Sequence, residues 1–276
     1  MGIKRVAGLL AVVVLLLGVV APAGAITYGE PDGDEHPYVG LVGFYDASGE
    51  WIWRCSGTLI SPTILLTAGH CTSPDAELGT PARAQVWFDS QIVLNPGAGY
   101  PDAGGVMGTP VANPNFDGLS KGNTNDIGVV VLDDPVNAPT YGALPTASYL
   151  DHLATERGKQ DVTFTAVGYG LNEVKPQSIS LRTRYKAVSH LVTLRSALTD
   201  GYNLQTSNNP GHWVKGSESG GTCFGDSGGP VFYSNTNLVV GITSFGMNSN
   251  CKGADWSYRT DSDAARAFLD DYVTLP

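Results

Sequence analysis

The stretch GTCFGDSGGPVF, residues 221–232, places four glycines around an aspartate and a serine. Glycine loses more backbone entropy on folding than any other residue, so a run of it normally marks a turn. One interpretation is an ordinary surface turn. The other is a nucleophilic serine, Ser227, on a bend so crowded that only glycine lets a substrate backbone approach. The rest of the chain has to decide between them.

The first 25 residues have the pattern of a secretory signal peptide. Lys4 and Arg5 precede an uncharged apolar run over 6–21, and small residues at 23–25 close it, as at a cleavage site. The alternative is a membrane anchor, but the run is short for a span of about 20 residues. We therefore expect a secreted protein that begins at Ile26 and has no membrane contact after cleavage.

Composition narrows the class of protein. Loss of the leader leaves 14 basic against 26 acidic residues, a net charge of −12. Such a chain repels phosphate backbones, which excludes nucleic acid as a partner. Charged residues are 15% of the chain and glycines number 35, which favours an all-β protein with many turns.

The chain has four cysteines, Cys55, Cys71, Cys223 and Cys251. An even number in an exported protein indicates disulfides, and four cysteines allow three connectivities. Pairing the first two and the last two closes two local loops. A zinc site is the alternative, but no CxxC pair is present. We expect no metal and no organic cofactor. A calcium ion would suit so acidic a chain, although no ligand loop is visible.

Apolar runs separated by Gly and Ser-Pro turns predict two series of strands. They cover 36–46, 51–71, 82–88 and 125–135, then 161–170, 180–194, 229–233 and 237–246. Residues 95–118, rich in Gly, Pro and Asn, predict a long surface excursion. A single helix is expected over 262–273, with Asp261 or Ser262 as its N-cap.

A serine nucleophile needs a base, and the base needs a partner that fixes its tautomer. GDSGG also fits the G-x-S-x-G turn of α/β-hydrolases, whose order is Ser, acid, His. All five histidines (36, 70, 152, 190 and 212) precede Ser227, so that interpretation fails. The order His, Asp, Ser remains. His70 lies beside Cys71, and Asp126 begins an apolar strand, where an aspartate is often only a cap. The histidines at 152, 190 and 212 lie in polar surroundings and are expected at the surface.

Three blocks in this order resemble the signatures of the chymotrypsin/trypsin-like serine endopeptidases. They are CSGTLISPTILLTAGHC (55–71), NDIGVVVL (125–132) and CFGDSGGP (223–230). The likeness runs from Ile26 to the terminal helix and is weakest over 95–120 and 171–215. We expect a secreted, bacterial-type member of this family.

The resemblance implies two six-stranded antiparallel β-barrels with the active site between them, plus a C-terminal helix. The N-terminal barrel would span about 26–140 and the C-terminal barrel about 141–260. Ser227 would attack the scissile carbonyl, His70 would accept its proton, and Asp126 would orient His70. The N–H groups of Gly225 and Ser227 would form the oxyanion hole.

The resemblance also implies the substrate-binding residues. Ser244, Phe245 and Gly246 match the strand that pairs with an extended substrate. Gly221 falls where members that cleave after Arg or Lys have an aspartate, and with Thr222 it indicates an uncharged pocket of mixed or apolar preference. Asp255 lies near the rear wall, and a one-residue shift decides whether it or Trp256 faces inward. An inward Asp255 would attract Arg and Lys.

In the resembling family a new N-terminus, commonly Ile-Val-Gly-Gly, folds inward and pairs with the aspartate before the nucleophile. Here these residues would be Ile26 and Asp226, with signal peptidase creating the amine. The expected function is a monomeric, secreted serine endopeptidase acting on polypeptides and open to protein protease inhibitors. Two alternatives stay open: a catalytically inactive binding module and a serine esterase.

Overall fold

The computed structural model describes residues 26–94, 104–119, 122–155, 162–172, 174, 178–209 and 220–276. The predicted leader and His212 lie outside these ranges. None of the helices in the described ranges is long and apolar enough to cross a membrane.

Six strands form the first barrel, with a single helical turn, α1 (Gly69–Thr72), after the third of them. The strands are β2 (Val39–Tyr45), β3 (Trp51–Leu59), β4 (Ile64–Thr67), β5 (Arg83–Trp87), β6 (Val106–Ala112) and β7 (Gly128–Leu132). They close in the order β2-β3-β4-β7-β6-β5, with every pairing antiparallel.

Six further strands form the second barrel. They are β8 (Thr163–Gly168), β9 (Tyr185–Thr193), β10 (Asn203–Asn208), β11 (Pro230–Tyr233), β12 (Val239–Gly246) and β13 (Gly253–Arg259). The order β9-β10-β13-β12-β11-β8 closes because β8 also pairs with β9. A two-residue strand, β1 (Glu30–Pro31), adds to β9 from the N-terminal segment, and a 3₁₀ turn (Asp151–Thr155) comes between β7 and β8 in the chain. The predicted fold class is confirmed.

The core of the first barrel continues into the contact between the barrels. Its largest cluster of buried apolar side chains includes Leu41 and Leu66 of the first barrel and Phe232 and Tyr258 of the second. At about 25 cal/mol per Å² of buried apolar surface, such a shared core holds the two barrels together. The cleft between them is therefore set by packing rather than by a linker.

Four strands were missed by the sequence analysis: the two-residue β1, which is too short for a periodic pattern, and β6, β10 and β13. Residues 95–118 were expected to be a surface excursion, but 106–112 within them form β6, which lies between β5 and β7. β6 contains a glycine and a proline, and both residues have low strand propensity, so propensity alone does not predict a strand here. Strands β10 and β13 are rich in polar residues, yet most of these residues are buried because the strands pair with each other along their length.

The C-terminal helix, α2 (Asp263–Leu269), is shorter than the predicted 262–273. Ser262 is the N-cap, and its hydroxyl accepts a hydrogen bond from the Ala265 N–H. Phe268 and Leu269 pack against the shared core. Asp270 and Asp271 follow at the end of the helix, where negative charge opposes the helix dipole.

Both local cysteine pairs are joined as disulfides, Cys55–Cys71 and Cys223–Cys251. The first ties α1 to β3, and the second ties the loop of residues 221–229 to the segment that leads into β13. By the loop-entropy argument, closing the shorter loop, Cys55–Cys71, stabilises the folded state by about 3 kcal/mol.

Candidate active site

Strand register brings His70 and Asp126 together. Strands β4 and β7 are antiparallel, with Thr67 opposite Gly128. His70 follows the end of β4, and Asp126 precedes the start of β7. Because these two strand ends are paired, the two residues lie next to each other. His70 Nδ1 lies 2.9 and 3.0 Å from the two oxygens of Asp126, and the His70 backbone N–H donates to Oδ1 at 2.8 Å.

Asp126 is fully buried and well partnered. Besides His70, the Ser244 hydroxyl donates a hydrogen bond to its Oδ2. Burial raises the pKa of Asp126, but the charge and hydrogen bonds of His70 and Ser244 outweigh it, and the pKa is lower than usual. The pKa of His70 is raised, since the attraction of Asp126 exceeds the opposing effect of burial. The carboxylate thus stabilises the protonated imidazole.

Ser227 lies in a loop fixed by backbone hydrogen bonds from both barrels. Its carbonyl accepts from the Ser56 N–H at 2.8 Å, and the next residue, Gly228, donates to Thr243 O at 2.9 Å. A Cβ on Gly228 would lie 2.0 Å from Thr67 Oγ1 and 2.6 Å from Ser56 O, and its φ is +78°. This position requires glycine because strand and loop backbones meet there.

The N–H groups of Gly225 and Ser227 are the two expected oxyanion donors. In the part of the chain that the structure describes, neither the Gly225 nor the Ser227 N–H donates to a protein acceptor. Gly225 has φ +96°, and its missing side chain leaves room for the Arg54 guanidinium, which lies 3.0 Å from the place of a Cβ.

A cleft of about 470 Å³ contains both His70 and Ser227 in its lining. Of the expected substrate-binding residues, it is lined by Thr222, Ser244, Phe245, Gly246 and Asp255. Exposed apolar side chains also line it, namely Leu119, Phe224 and Met247.

The structure decides which residue of β13 faces the cleft. Gly246 lies opposite Asp255, and Phe245 lies opposite Trp256. Trp256 stacks on Phe245 with ring centroids 5.4 Å apart and donates its indole N–H to Ser196, so it points away. Asp255 is the inward residue.

Asp255 has partners that the sequence analysis did not identify. The Asn208 side-chain amide donates to its two oxygens at 2.9 and 3.0 Å, and the Thr222 N–H donates at 2.6 Å. Burial raises the pKa of Asp255 to about 6, although these hydrogen bonds lower it. Gly221 lies behind this pair rather than in the cleft: a Cβ there would be 2.2 Å from Asn208 Cγ and 2.5 Å from Asp255 Oδ2.

Asp226 is buried, and Arg54 is near enough for its charge to lower the pKa of Asp226. It accepts hydrogen bonds from the backbone N–H groups of Gly170 and Cys223, and burial raises its pKa to about 7. Ile26 is also fully buried. The adjacent Thr27 pairs with Gly221, so the N-terminal segment enters the second barrel near this loop.

Among the described residues, the other histidines and potential metal ligands form no second site of this type. His152 is exposed, whereas His190 is half-buried and its Nε2 lies inside without a partner, so of these two histidines only His152 has the expected surface position. Within the described ranges, one grouping of potential metal ligands is present, Cys55, His70 and Cys71. Its two sulfur atoms are bonded to each other.

Fold and site together define a double-barrel protein with a serine, histidine and aspartate around one cleft. The chain belongs to the trypsin family: the family model described as Trypsin matches residues 30–266.

Several curated proteins are similar over most of the chain. Phenoloxidase-activating factor 3 of Holotrichia diomphalia is 27% identical over 85% of this chain and 68% of its own length. Clotting factor C of Tachypleus tridentatus is 28% identical over 74% of this chain but only 21% of its own length. Tryptase of Mus musculus is 28% identical over 75% of this chain and 79% of its own. The expected bacterial-type relationship is not confirmed, because these relatives come from a beetle, a horseshoe crab and a mouse.

Solved structures agree on the fold. The structure described as HL collagenase has a TM-score of 0.67 at 17% identity, covering 91% of this chain and all of that one. Heparin binding protein has a TM-score of 0.60 at 18% identity, covering 91% of this chain and 98% of that one.

Proposed function

We propose that this protein is a secreted serine endopeptidase that hydrolyses peptide bonds through His70, Asp126 and Ser227. One observation carries the proposal: His70 is held by a buried carboxylate in the same cleft as a serine flanked by two open N–H donors. This arrangement matches the requirements for nucleophilic acyl transfer.

In the acylation step, Ser227 Oγ forms a bond to the carbonyl carbon of the substrate and loses its proton to His70 Nε2. The C–N bond then breaks, and His70 passes that proton to the departing amine. Water then loses a proton to His70 and bonds to the acyl carbon; the bond between that carbon and Ser227 Oγ breaks, and His70 returns the proton to Oγ. The N–H groups of Gly225 and Ser227 stabilise the oxyanion in both acylation and deacylation. Each such donor typically stabilises the transition state by about 3 kcal/mol.

His70 has to be neutral to accept the proton. Its pKa is raised by Asp126, so we expect kcat/KM to fall as the pH drops through this raised pKa. An extended polypeptide would lie along β12 at Ser244, Phe245 and Gly246 and add a strand to its edge.

Activation would use the buried Asp226. A carboxylate in this environment needs a cation to stay ionised, and the α-ammonium of a chain starting at Ile26 would supply it. That pairing would fix the loop that carries Gly225 and Ser227. Signal peptidase cleavage after Ala25 would then produce the active form directly.

A fluorophosphonate probe tests the proposal. The probe should attach to Ser227, as shown by peptide mapping, and block hydrolysis of casein by the secreted protein; Ser227→Ala is the unlabelled control. Hydrolysis of small esters without casein cleavage would indicate an esterase. Absence of both labelling and hydrolysis would indicate a catalytically inactive binding module.

A further inference from the structure

Asp255, Asn208 and Thr27 form a buried chain of polar side chains from the cleft to the N-terminal segment. Thr206 lies directly opposite Asp255 in the β10–β13 pair, and Asn208 lies opposite Gly253. Asn208 is therefore a diagonal neighbour of Asp255 on the same face of the sheet, close enough for side-chain contact. Thr27 approaches Asn208 from the other side, with its hydroxyl 3.2 Å from Oδ1.

The hydrogen-bonding capacity of the Asn208 amide determines its orientation. Its NH₂ group has two donors, and these face Thr222 O at 3.0 Å and the carboxylate of Asp255. Its carbonyl oxygen faces the Thr27 hydroxyl, which also has the carbonyls of Gly221 and Cys251 within 3.1–3.2 Å. Rotating the amide by 180° would point its oxygen at the Asp255 carboxylate, so an ionised Asp255 favours the observed orientation.

We infer that Asn208 is a positioning residue for substrate specificity: it holds Asp255 as an anion facing the cleft, and Thr27 orients it for that role. The substrates selected would have Lys or Arg before the scissile bond. The inference rests on the proposed function. It replaces the mixed or apolar preference expected from Gly221 with a preference that depends on the ionisation of Asp255.

Among the residues that the structure describes, few charged groups lie near Asp255. Lys252 and His70 line the same cleft, and Lys252 also lies over the Tyr28 ring at 5.5 Å. The negative charge of Asp255 also contributes to raising the pKa of Asp226. The neighbour on β10 opposite Asp255, Thr206, is neutral. Among these neighbours, Asn208 provides the largest effect that lowers the pKa of Asp255.

The test compares two peptide substrates that differ only in having Lys or Leu before the cut. The ratio of their kcat/KM values cancels the titration of His70, which both substrates share. In the parent enzyme, the Lys/Leu ratio should rise with pH through about 6 as Asp255 ionises. In Asp255→Asn, the ratio should be low and independent of pH.

Asn208→Leu removes the amide at similar volume. We expect the midpoint of the Lys/Leu ratio to move up by about one pH unit, and the ratio at its former midpoint to fall about fivefold. The ratio should recover at pH 9, where Asp255 ionises without help. Thr27→Val should shift the ratio in the same direction by about threefold, and Thr27→Ser, which keeps the hydroxyl, should not.

Equal losses on both substrates in Asn208→Leu, with an unchanged midpoint, would overturn the inference and indicate a structural role. If Asn208→Leu does not fold, Thr27→Val and Thr27→Ser decide the question by the same ratio. A parent enzyme that cleaves neither substrate would refute the proposed function itself. A parent that cleaves both with the same ratio at every pH would refute only the role of Asn208.

Discussion

Asp126 and Asp226 are two fully buried carboxylates on either side of the same serine, and their ionisation differs. Asp126 is bonded to His70 and Ser244, and its pKa is lowered. Asp226 is bonded to two backbone N–H groups, and its pKa is raised to about 7. Burial acts in the same direction on both residues, so the difference comes from their partners.

A third buried carboxylate supports this explanation. Asp32 pairs with the buried Arg184 at 2.8 Å and with His36, and its pKa is lowered despite burial. Where a basic side chain is hydrogen-bonded to the carboxylate, the anion is stabilised; where the hydrogen bonds come from backbone N–H groups, as at Asp226, burial prevails although the charge of Arg54 opposes it. Asp126 therefore keeps its ionised form through its side-chain partners, whereas Asp226, with backbone hydrogen bonds and the charge of Arg54, still has a raised pKa.

The largest losses of kcat should come from removing Ser227 or His70, the two groups whose chemistry depends on Asp126. Ser227→Ala or His70→Ala alone should lower kcat about a million-fold, and the double variant should lose little more, because the residues act as one unit. Steady-state kinetics on a peptide anilide would measure this. Retention of a tenth of the activity in Ser227→Ala would rule out the mechanism.

Asp126→Asn should lower kcat about ten-thousand-fold at neutral pH, because asparagine neither stabilises the imidazolium nor holds His70 in the required tautomer. Kinetics at pH 7 should be compared with Asp34→Asn, the same chemical change at an exposed position, which should leave kcat unaltered. A loss of less than tenfold in Asp126→Asn would show that the lowered pKa of Asp126 has no catalytic consequence.

The family resemblance, the fold class and the residues that meet in the site could be predicted from sequence because their signals are local. His70 lies in the helical turn after β4, and Asp126 and Ser227 lie in loops just before β7 and β11, all within short recognisable blocks. The strands in those blocks are continuously apolar, as in β7, where four of five residues are buried. Local patterns of this kind determine both the strand and the position of the loop after it.

The rest depends on contacts between distant polar residues. Asn208 meets Asp255 across a separation of 47 positions, and Thr27 meets Asn208 across 181. Strands β10 and β13 bring Asn208 and Asp255 together. Many of the buried side chains in these strands are polar, so a search for hydrophobic periodicity does not find the strands. The direction in which Asp255 points follows from the register of β12 and β13, and register is a property of the folded sheet.

The site of Asp226 predicts a difference between two forms of the chain. A form that keeps Ala25 before Ile26 has no ammonium to pair with Asp226, so its oxyanion hole should be poorly ordered. We expect its kcat/KM to be about a hundred- to a thousandfold lower than that of a form starting at Ile26, the loss typical of an impaired oxyanion hole. Intact mass identifies each form. Equal activity of the two forms would refute activation by the N-terminus.

The same site predicts how the stability of the Ala25-retaining form depends on pH. The folded pKa of Asp226, about 7, exceeds its unfolded value of about 3.9. The folded state therefore binds the proton more tightly, and stability is lost as the pH rises from about 4 to 7. In that form, Asp226→Asn should gain stability over its parent across this range, by roughly 4 kcal/mol at most. Denaturant unfolding at pH 4 and pH 7.5 measures the difference; an unchanged difference would contradict the raised pKa.

The smallest expected effect is on the Asp126 side, at Ser244. Its hydroxyl donates to Asp126 Oδ2 and helps lower the pKa of that carboxylate. Ser244→Ala removes this hydrogen bond but leaves both contacts with His70, so the carboxylate keeps its main hydrogen-bonding partner. A hydrogen bond to a charged group contributes about 1.5–3 kcal/mol, and we expect part of this to appear as a roughly tenfold fall in kcat. Ser48→Ala, at an exposed turn, is the matched control. A loss as large as that of Asp126→Asn would mean that Ser244, and not His70, is the partner that distinguishes Asp126 from Asp226.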